Sequence, residues 1–295
     1  MKMTVSLVSV LFLMTISFCI RKSSGQVWPL DMAENSVDDS YGGCRDDMNK
    51  LVISEYIEYE RKNTPGFAAA WENALNKRKI LSILSINQSA AIYMYTAEPQ
   101  CRKDCSYVEF NKATRNGSAA YQSGDFQFYT LHFFLTDAVQ QLKKEQTGCV
   151  TSYRRTRVKF ETDVLNKKIR FGSFTSSSLN KDLTQFGRES CFQIYTCFGA
   201  AIESFSEFPS EKEVLIPPYE TFLITAIKEI DKERDLWCNV VYELKSAGKR
   251  SDLQCIKIKL SAFDISIFVI FSLVGPCLLL CLLCRAISLL RNICM

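Results

Sequence analysis

Apolar residues recur at helical intervals from Asp46 to Lys62 and again from Phe67 to Arg78, so the pattern predicts two helices separated by Thr64-Pro65-Gly66. A third predicted helix runs from Tyr129 to Gln146, with Leu131, Leu135, Ala138 and Leu142 on one face. Lys143 and Lys144 suit the negative end of its dipole, and Gly148 suits its termination. After Cys149 the periodicity changes. Short β-rich segments follow at Phe192 to Cys197, Glu213 to Ile216, Thr221 to Ile227 and Val240 to Leu244. A helical first half thus precedes a stranded second half, without internal repeats or a low-complexity linker.

Composition sets bounds on this picture. The 295 residues are 47% hydrophobic and 23% charged with formal net charge +4, which fits one sizeable globular domain and excludes a disordered chain or a nucleic-acid-binding charge balance. Both ends differ from the middle. Met1-Lys2-Met3 precedes an apolar run from Val5 to Ile20, and Ser23-Ser24-Gly25 offers small residues for cleavage, so residues 1–25 read as a signal peptide and the mature chain begins near Gln26. Ile265 to Cys284 is a continuous apolar segment, long enough to cross a hydrocarbon layer of roughly 30 Å. Residues 261–295 therefore read as a membrane segment, either a retained span with Arg285 and Arg291 on the cytoplasmic side or a removable lipid-anchor signal. In both cases residues 26–260 form an ectodomain on the secretory route to the cell surface. That route gives meaning to the sequons at Asn87 and Asn116, which predict glycosylation in exposed loops.

The densest candidate chemistry lies between Ser206 and Pro218. Glu211 and Glu213 are spaced i and i+2 ahead of an apolar strand, and an extended backbone would turn both carboxylates to one face, about 7 Å apart, with Lys212 opposite. Pro217-Pro218 would end regular pairing after Ile216. Upstream, Ser176 and Ser178 share a face, and Tyr153-Arg154-Arg155 sets an aromatic beside two cations. His132, the single histidine, falls within an apolar helix and reads as core. Cys101 and Cys105 have metal-ligand spacing but lack a second pair, so no metal site is expected. The chain also lacks a G-x-G-x-x-G phosphate loop.

The order Arg154, then Ser176-x-Ser178, then Glu211-x-Glu213 resembles the R-S-E constellation of the vertebrate ecto-type arginine-specific mono-ADP-ribosyltransferases. The resemblance extends to Leu30-Asp31-Met32-Ala33, Asp38-Asp39-Ser40-Tyr41, Phe110-Asn111-Lys112-Ala113, Leu131 to Ala138 and Glu213 to Glu220, in family order over roughly residues 30 to 255. It implies an α+β fold, with a helical N-terminal lobe and a two-sheet β core around an NAD cleft. It also implies transfer of ADP-ribose from NAD, or from NADP, to arginine side chains of target proteins, without a metal. Glu213 would stabilise the oxocarbenium-like sugar and accept a ribose hydroxyl's hydrogen bond. Glu211 would orient the incoming guanidinium and take its proton, needed because free guanidinium has a pKa above about 12. Arg154 would bind the phosphates, Ser176 the nicotinamide ribose, and Phe186 would stack on nicotinamide.

The resemblance further implies bridges from Cys44 to Cys255 and from Cys149 to Cys197, the second worth about 4 kcal/mol in the chain-entropy account. Sequence alone does not give the connectivity of the other four, for which Cys101 with Cys105 and Cys191 with Cys238 are the pairings expected. Many relatives carry glycine after the motif arginine where this chain has Arg155, a side chain that would weaken NAD binding if it crowded the phosphate path. The sequence is also compatible with two other functions: a membrane glycoprotein that binds partners without turning over NAD, and an NAD glycohydrolase.

Overall fold

A computed structural model describes residues 26–97, 107–233 and 235–259, and the elements come in the order the periodicity suggests. After β1 (Val27–Trp28) the first helical stretch is α1 (Arg45–Leu51), continuous through a π turn at Val52–Tyr56 with α2 (Ile57–Asn63). Then follow α3 (Phe67–Lys77), α4 (Ile86–Thr96), α5 (Tyr107–Asn116), α6 (Ser118–Ser123) and α7 (Tyr129–Glu145). The strands are β2 (Val150–Thr156), β3 (Lys159–Phe160), β4 (Lys168–Arg170), β5 (Thr175–Ser178), β6 (Ser190–Thr196), β7 (Ala200–Ala201), β8 (Glu213–Ile216), β9 (Glu220–Glu229) and β10 (Val240–Lys249).

Local chemistry sets several of these boundaries. Gly66 enters α3 at φ 75°, a left-handed conformation that a Cβ disfavours. Ser85 starts α4 through a reciprocal capping box with Gln88. α7 is buried on nearly every side, including His132, and so acts as the central post of the helical lobe. The ring of His132 bonds the Tyr41 hydroxyl at 2.7 Å and the Val37 carbonyl at 3.0 Å, and burial lowers its pKa to about 4. It is a neutral core residue.

The strands form an eight-stranded mixed sheet, in the order β4-β9-β10-β6-β2-β5-β8-β7, and a separate two-stranded one, β1-β3. Only β6 and β10 run parallel within the large sheet. Its two ends cover different cores. Phe174, Ala200, Phe205 and Leu215 pack with the helices, while Phe192, Ile194, Phe222, Ile224 and Tyr242 form a second cluster. The fold is thus α+β, a helical lobe on a two-sheet β core.

Both ends of the domain meet at a buried polar seam. Arg170 donates to the Asp38 carboxylate at 2.5 Å and to the carbonyls of Met32 and Ala33 at 2.9 Å, and Asp38 also accepts from the amides of Asp252 and Leu253. A disulfide joins Cys44 to Cys255 beside it. Cys149 is bonded to Cys197 across the paired ends of β2 and β6, and Cys191 to Cys238. Cys101 and Cys105, the leader 1–25 and the apolar segment 261–295 lie outside the described residues. Among the described residues no helix is long and apolar enough to cross a membrane.

The sequons do not lie in loops. Asn87 is half-buried in the first turn of α4, because the Ser85 cap starts the helix there, and Asn116 is the exposed last residue of α5.

Candidate active site

Where the two cores diverge, a cleft of about 1560 Å³ opens over β2 and β5, lined from one side by Tyr95 and Phe174 and from the other by Phe160 and Phe192. Side-chain alternation along β2 sends Arg154 and Arg155 to opposite faces. Arg154 reaches across to β5, donating from Nη1 to the Ser176 carbonyl at 2.6 Å. Arg155 turns into the protein: Nε donates to the Lys181 carbonyl at 2.6 Å and Nη1 to those of Trp237 and Gly187 at 3.2 and 3.3 Å. Its guanidinium is therefore tied to three backbone carbonyls, although Arg155 still counts among the residues that line the cleft.

The serines alternate in the same way. Ser177 points into the sheet, donating to the Val214 carbonyl at 2.9 Å and pairing with Ser152 at 2.8 Å. Ser176 and Ser178 take the other face. Ser176 Oγ lies 3.4 Å from the Tyr95 hydroxyl, which Asn111 also contacts at 3.1 Å, and Ser178 Oγ donates to the Glu211 carbonyl at 2.5 Å.

The acidic pair reaches the cleft by a different route from the extended strand expected of it. Glu211 ends a 3-10 turn, Pro209–Glu211, and Lys212 adopts a left-handed φ of 48°, so strand β8 begins only at Glu213. A residue in that left-handed conformation cannot continue an extended ladder, so the run does not start before Glu213. Both glutamates nonetheless line the cleft, Glu211 toward its rim and Glu213 buried at 7% exposure within it.

That burial pushes the Glu213 carboxyl up to about 7, with nearby hydrogen bonds from Ser176 and Ser206 and the charge of Arg154 pulling the other way. Desolvation raises Glu211 as well. Phe186 stands at the cleft wall on a 3-10 turn, Thr184–Phe186, with 44% of its surface exposed. Gly187 follows at φ 125°, where a Cβ would stand 2.4 Å from the Thr156 carbonyl oxygen. Only glycine fits there.

Arg154, Ser176, Glu211, Glu213 and Phe186 thus line a single cleft. Tyr95, Asn111 and Ser206 also approach it and were not singled out from sequence as site residues. They arrive from α4, α5 and a bend before β8, and no local motif marks them. Chemically, a buried anion beside hydroxyls, a cation on the neighbouring strand, a second carboxylate at the rim and an exposed aromatic suit a substrate whose reacting carbon becomes positive.

A family model described as ART: NAD:arginine ADP-ribosyltransferase matches residues 30–252. NAD(P)(+)--arginine ADP-ribosyltransferase 1 of Gallus gallus is 37% identical over 242 residues, covering 78% of this chain and 73% of the chicken protein. The GPI-linked NAD(P)(+)--arginine ADP-ribosyltransferase 1 of Mus musculus is 35% identical, covering 79% and 74%. Among solved structures, the eucaryotic mono-ADP-ribosyltransferase ART2.2 superposes with a TM-score of 0.62 at 28% identity, over 77% of this chain and 98% of that one. A mutant of ART2.2 in complex with NAD gives 0.61 at 26% identity, with the same coverage. With the fold, the cleft and the matched span in agreement, the chain belongs to the NAD:arginine ADP-ribosyltransferase family.

Proposed function

We propose that Glu213, Glu211, Arg154 and Ser176 carry out the transfer of ADP-ribose from NAD to protein arginine with release of nicotinamide. The chain is a mono-ADP-ribosyltransferase with NAD as its donor, as its family and relatives are. NADP is a further donor to test, since relatives are named for NAD(P).

The bond between the ribose C1′ and nicotinamide breaks with its electron pair leaving on nicotinamide, and positive charge develops on the sugar. Glu213 stabilises that charge. Its carboxylate is buried and therefore poorly solvated, so it interacts most strongly with a cation formed beside it, and the gain is greater in the transition state than in the ground state. Ser176 holds the ribose, Arg154 the phosphates, and Phe186 stacks on the nicotinamide ring. A guanidine nitrogen of the target then bonds C1′, and Glu211 takes the proton lost from it.

The single observation that carries this reading is the two-carboxylate arrangement, one buried and one at the rim of the same cleft. Hydrolysis needs only the first. A pure binding protein needs neither. The test is incubation of the full-length protein with NAD labelled in the ADP-ribose and with an arginine analogue. Labelled ADP-ribosyl product is expected; free ADP-ribose alone would establish a glycohydrolase, and unchanged NAD would establish a binding protein.

The same reading places residues 1–25 as a cleaved leader, 26–260 as an outward-facing catalytic domain and 261–295 as its membrane attachment. Relatives named as GPI-linked or as ecto-enzymes support a cell-surface location, as do three disulfides, which persist in oxidising compartments.

A further inference from the structure

We infer that Arg155 is a positioning residue for the NAD cleft, holding loop 181–187, and with it Phe186, in register with the strand that carries Arg154. The inference rests on the proposed reading of the cleft and adds a residue to it.

Loop 181–187 has little apolar surface to hold it. Residues 179–182 and 184–186 are all exposed, so ordinary burial does not fix where the Phe186 ring stands. Polar bonds must do so. One guanidinium grips the loop at both ends, through the Lys181 carbonyl at 2.6 Å and the Gly187 carbonyl at 3.3 Å. The same group is anchored by the Trp237 carbonyl at 3.2 Å and by the Trp237 ring, whose centroid lies 4.8 Å away.

Arg155 is 9% exposed, and among the described residues no carboxylate stands within ion-pair distance of it. A nearly buried cation that meets carbonyls, the Trp237 ring and the Cys238 sulfur at 3.6 Å but no carboxylate is a poor source of net stability. Its planar fork of donors instead fixes several acceptors in one geometry, which a lysine ammonium cannot reproduce. The consequence falls on substrate binding. With both ends released, Arg157 Nη2 would still hold the Gln185 carbonyl at 2.5 Å, but Phe186 would take up more positions, weakening NAD in the ground and transition states alike.

The experiment compares full-length wild type with Arg155→Gln, Arg155→Lys, Phe186→Ala and the double variant Arg155→Gln/Phe186→Ala. Removing the fork should raise KM for NAD about tenfold with kcat within about threefold. Amide exchange should quicken only within 181–187, with an unchanged melting temperature, and Arg155→Lys should recover part of the loss. The double variant should be little worse than Phe186→Ala alone, because Arg155 acts through that ring. An unchanged KM, multiplying effects in the double variant, or faster exchange across the whole sheet with a lower melting temperature would overturn the inference. If wild type releases no nicotinamide, the proposed reaction fails, yet NAD affinity by equilibrium dialysis and the exchange pattern still decide the role of Arg155.

Discussion

Glu211 and Glu213 reach one cleft from two different elements, the first ending a 3-10 turn and the second opening a buried strand, with Lys212 reversing the backbone between them at φ 48°. Their environments therefore differ. Glu213 meets Ser176 and Ser206 in a desolvated recess, while Glu211 stands nearer solvent. That difference supports separate jobs for the proposed pair.

Glu213→Gln should lose both ADP-ribosyl transfer and NAD hydrolysis, by roughly 100-fold or more if it supplies the main electrostatic stabilisation. Glu211→Gln should lose transfer to arginine while retaining some hydrolysis. Parallel assays of nicotinamide release and of labelled arginine product separate the two. Equal loss of both activities in Glu211→Gln would contradict the division.

A second expectation concerns pH. In the proposed mechanism Glu213 acts as a carboxylate, and burial holds its carboxyl up at about 7 in the free cleft. kcat/KM should thus rise with pH to a plateau above about 7 and fall below it. Ser176 pulls that pKa down, so Ser176→Ala should move the acid limb upward. A profile flat from pH 5 to 8 would rule out Glu213 as the titrating group.

Much of this architecture is legible in the sequence where one period dominates. α7 is readable because its apolar residues recur along seventeen residues, and β8 because Val214-Leu215-Ile216 ends at a proline pair. Where local backbone conformation overrides period, legibility fails. Alternation would set Glu211 and Glu213 on one strand, but a left-handed Lys212 and a proline-led turn intervene. The sequons read as loops, although the Ser85 cap turns one of them into a helix start. Tyr95 was hidden for another reason: it lies 81 residues before Ser176, and only the folded chain brings the two hydroxyls together. Arg155 is the converse case, a residue evident in the sequence whose carbonyl partners at Lys181, Gly187 and Trp237 only the folded chain reveals.

Stability offers a third test, in the helical lobe. Glu60 is fully buried, accepting the Thr130 amide near the start of α7 at 3.1 Å, and desolvation raises its carboxyl to about 8. A folded-state pKa above the unfolded value means that the native state binds the extra proton, so stability falls as pH rises from the ordinary carboxylate range toward 8. Asp39, pushed up to about 6, contributes the same sign over a lower window. Glu60→Gln should flatten the upper part of this slope, gaining on the order of 3 kcal/mol relative to wild type between pH 5 and 8. Denaturant melts at both pH values give the comparison. A variant that loses stability in parallel with wild type would show that Glu60 does not carry the slope.

The manner of membrane attachment can be argued from the fold as well. A lipid anchor requires small residues at the processing site, a polar spacer and then an apolar tail. Ser246-Ala247-Gly248 supplies small residues but lies inside β10, so processing there would cut a paired strand and remove Cys255, the partner of Cys44. Ser261-Ala262 stands only a few residues ahead of the apolar run that begins at Ile265, leaving almost no spacer. On a proposed span, Ile265 to Cys284 would be retained with Arg285 and Arg291 on the cytoplasmic side, whereas relatives named as GPI-linked favour the lipid anchor. With the span, phosphatidylinositol-specific phospholipase should leave the protein on intact cells, and a tag placed after Met295 should survive in the mature chain. Release by the enzyme, with the tag lost, would establish a lipid anchor instead. In either case a chain ending just before Ile265 should be secreted, folded and active, because Cys255 and every proposed catalytic residue precede that point.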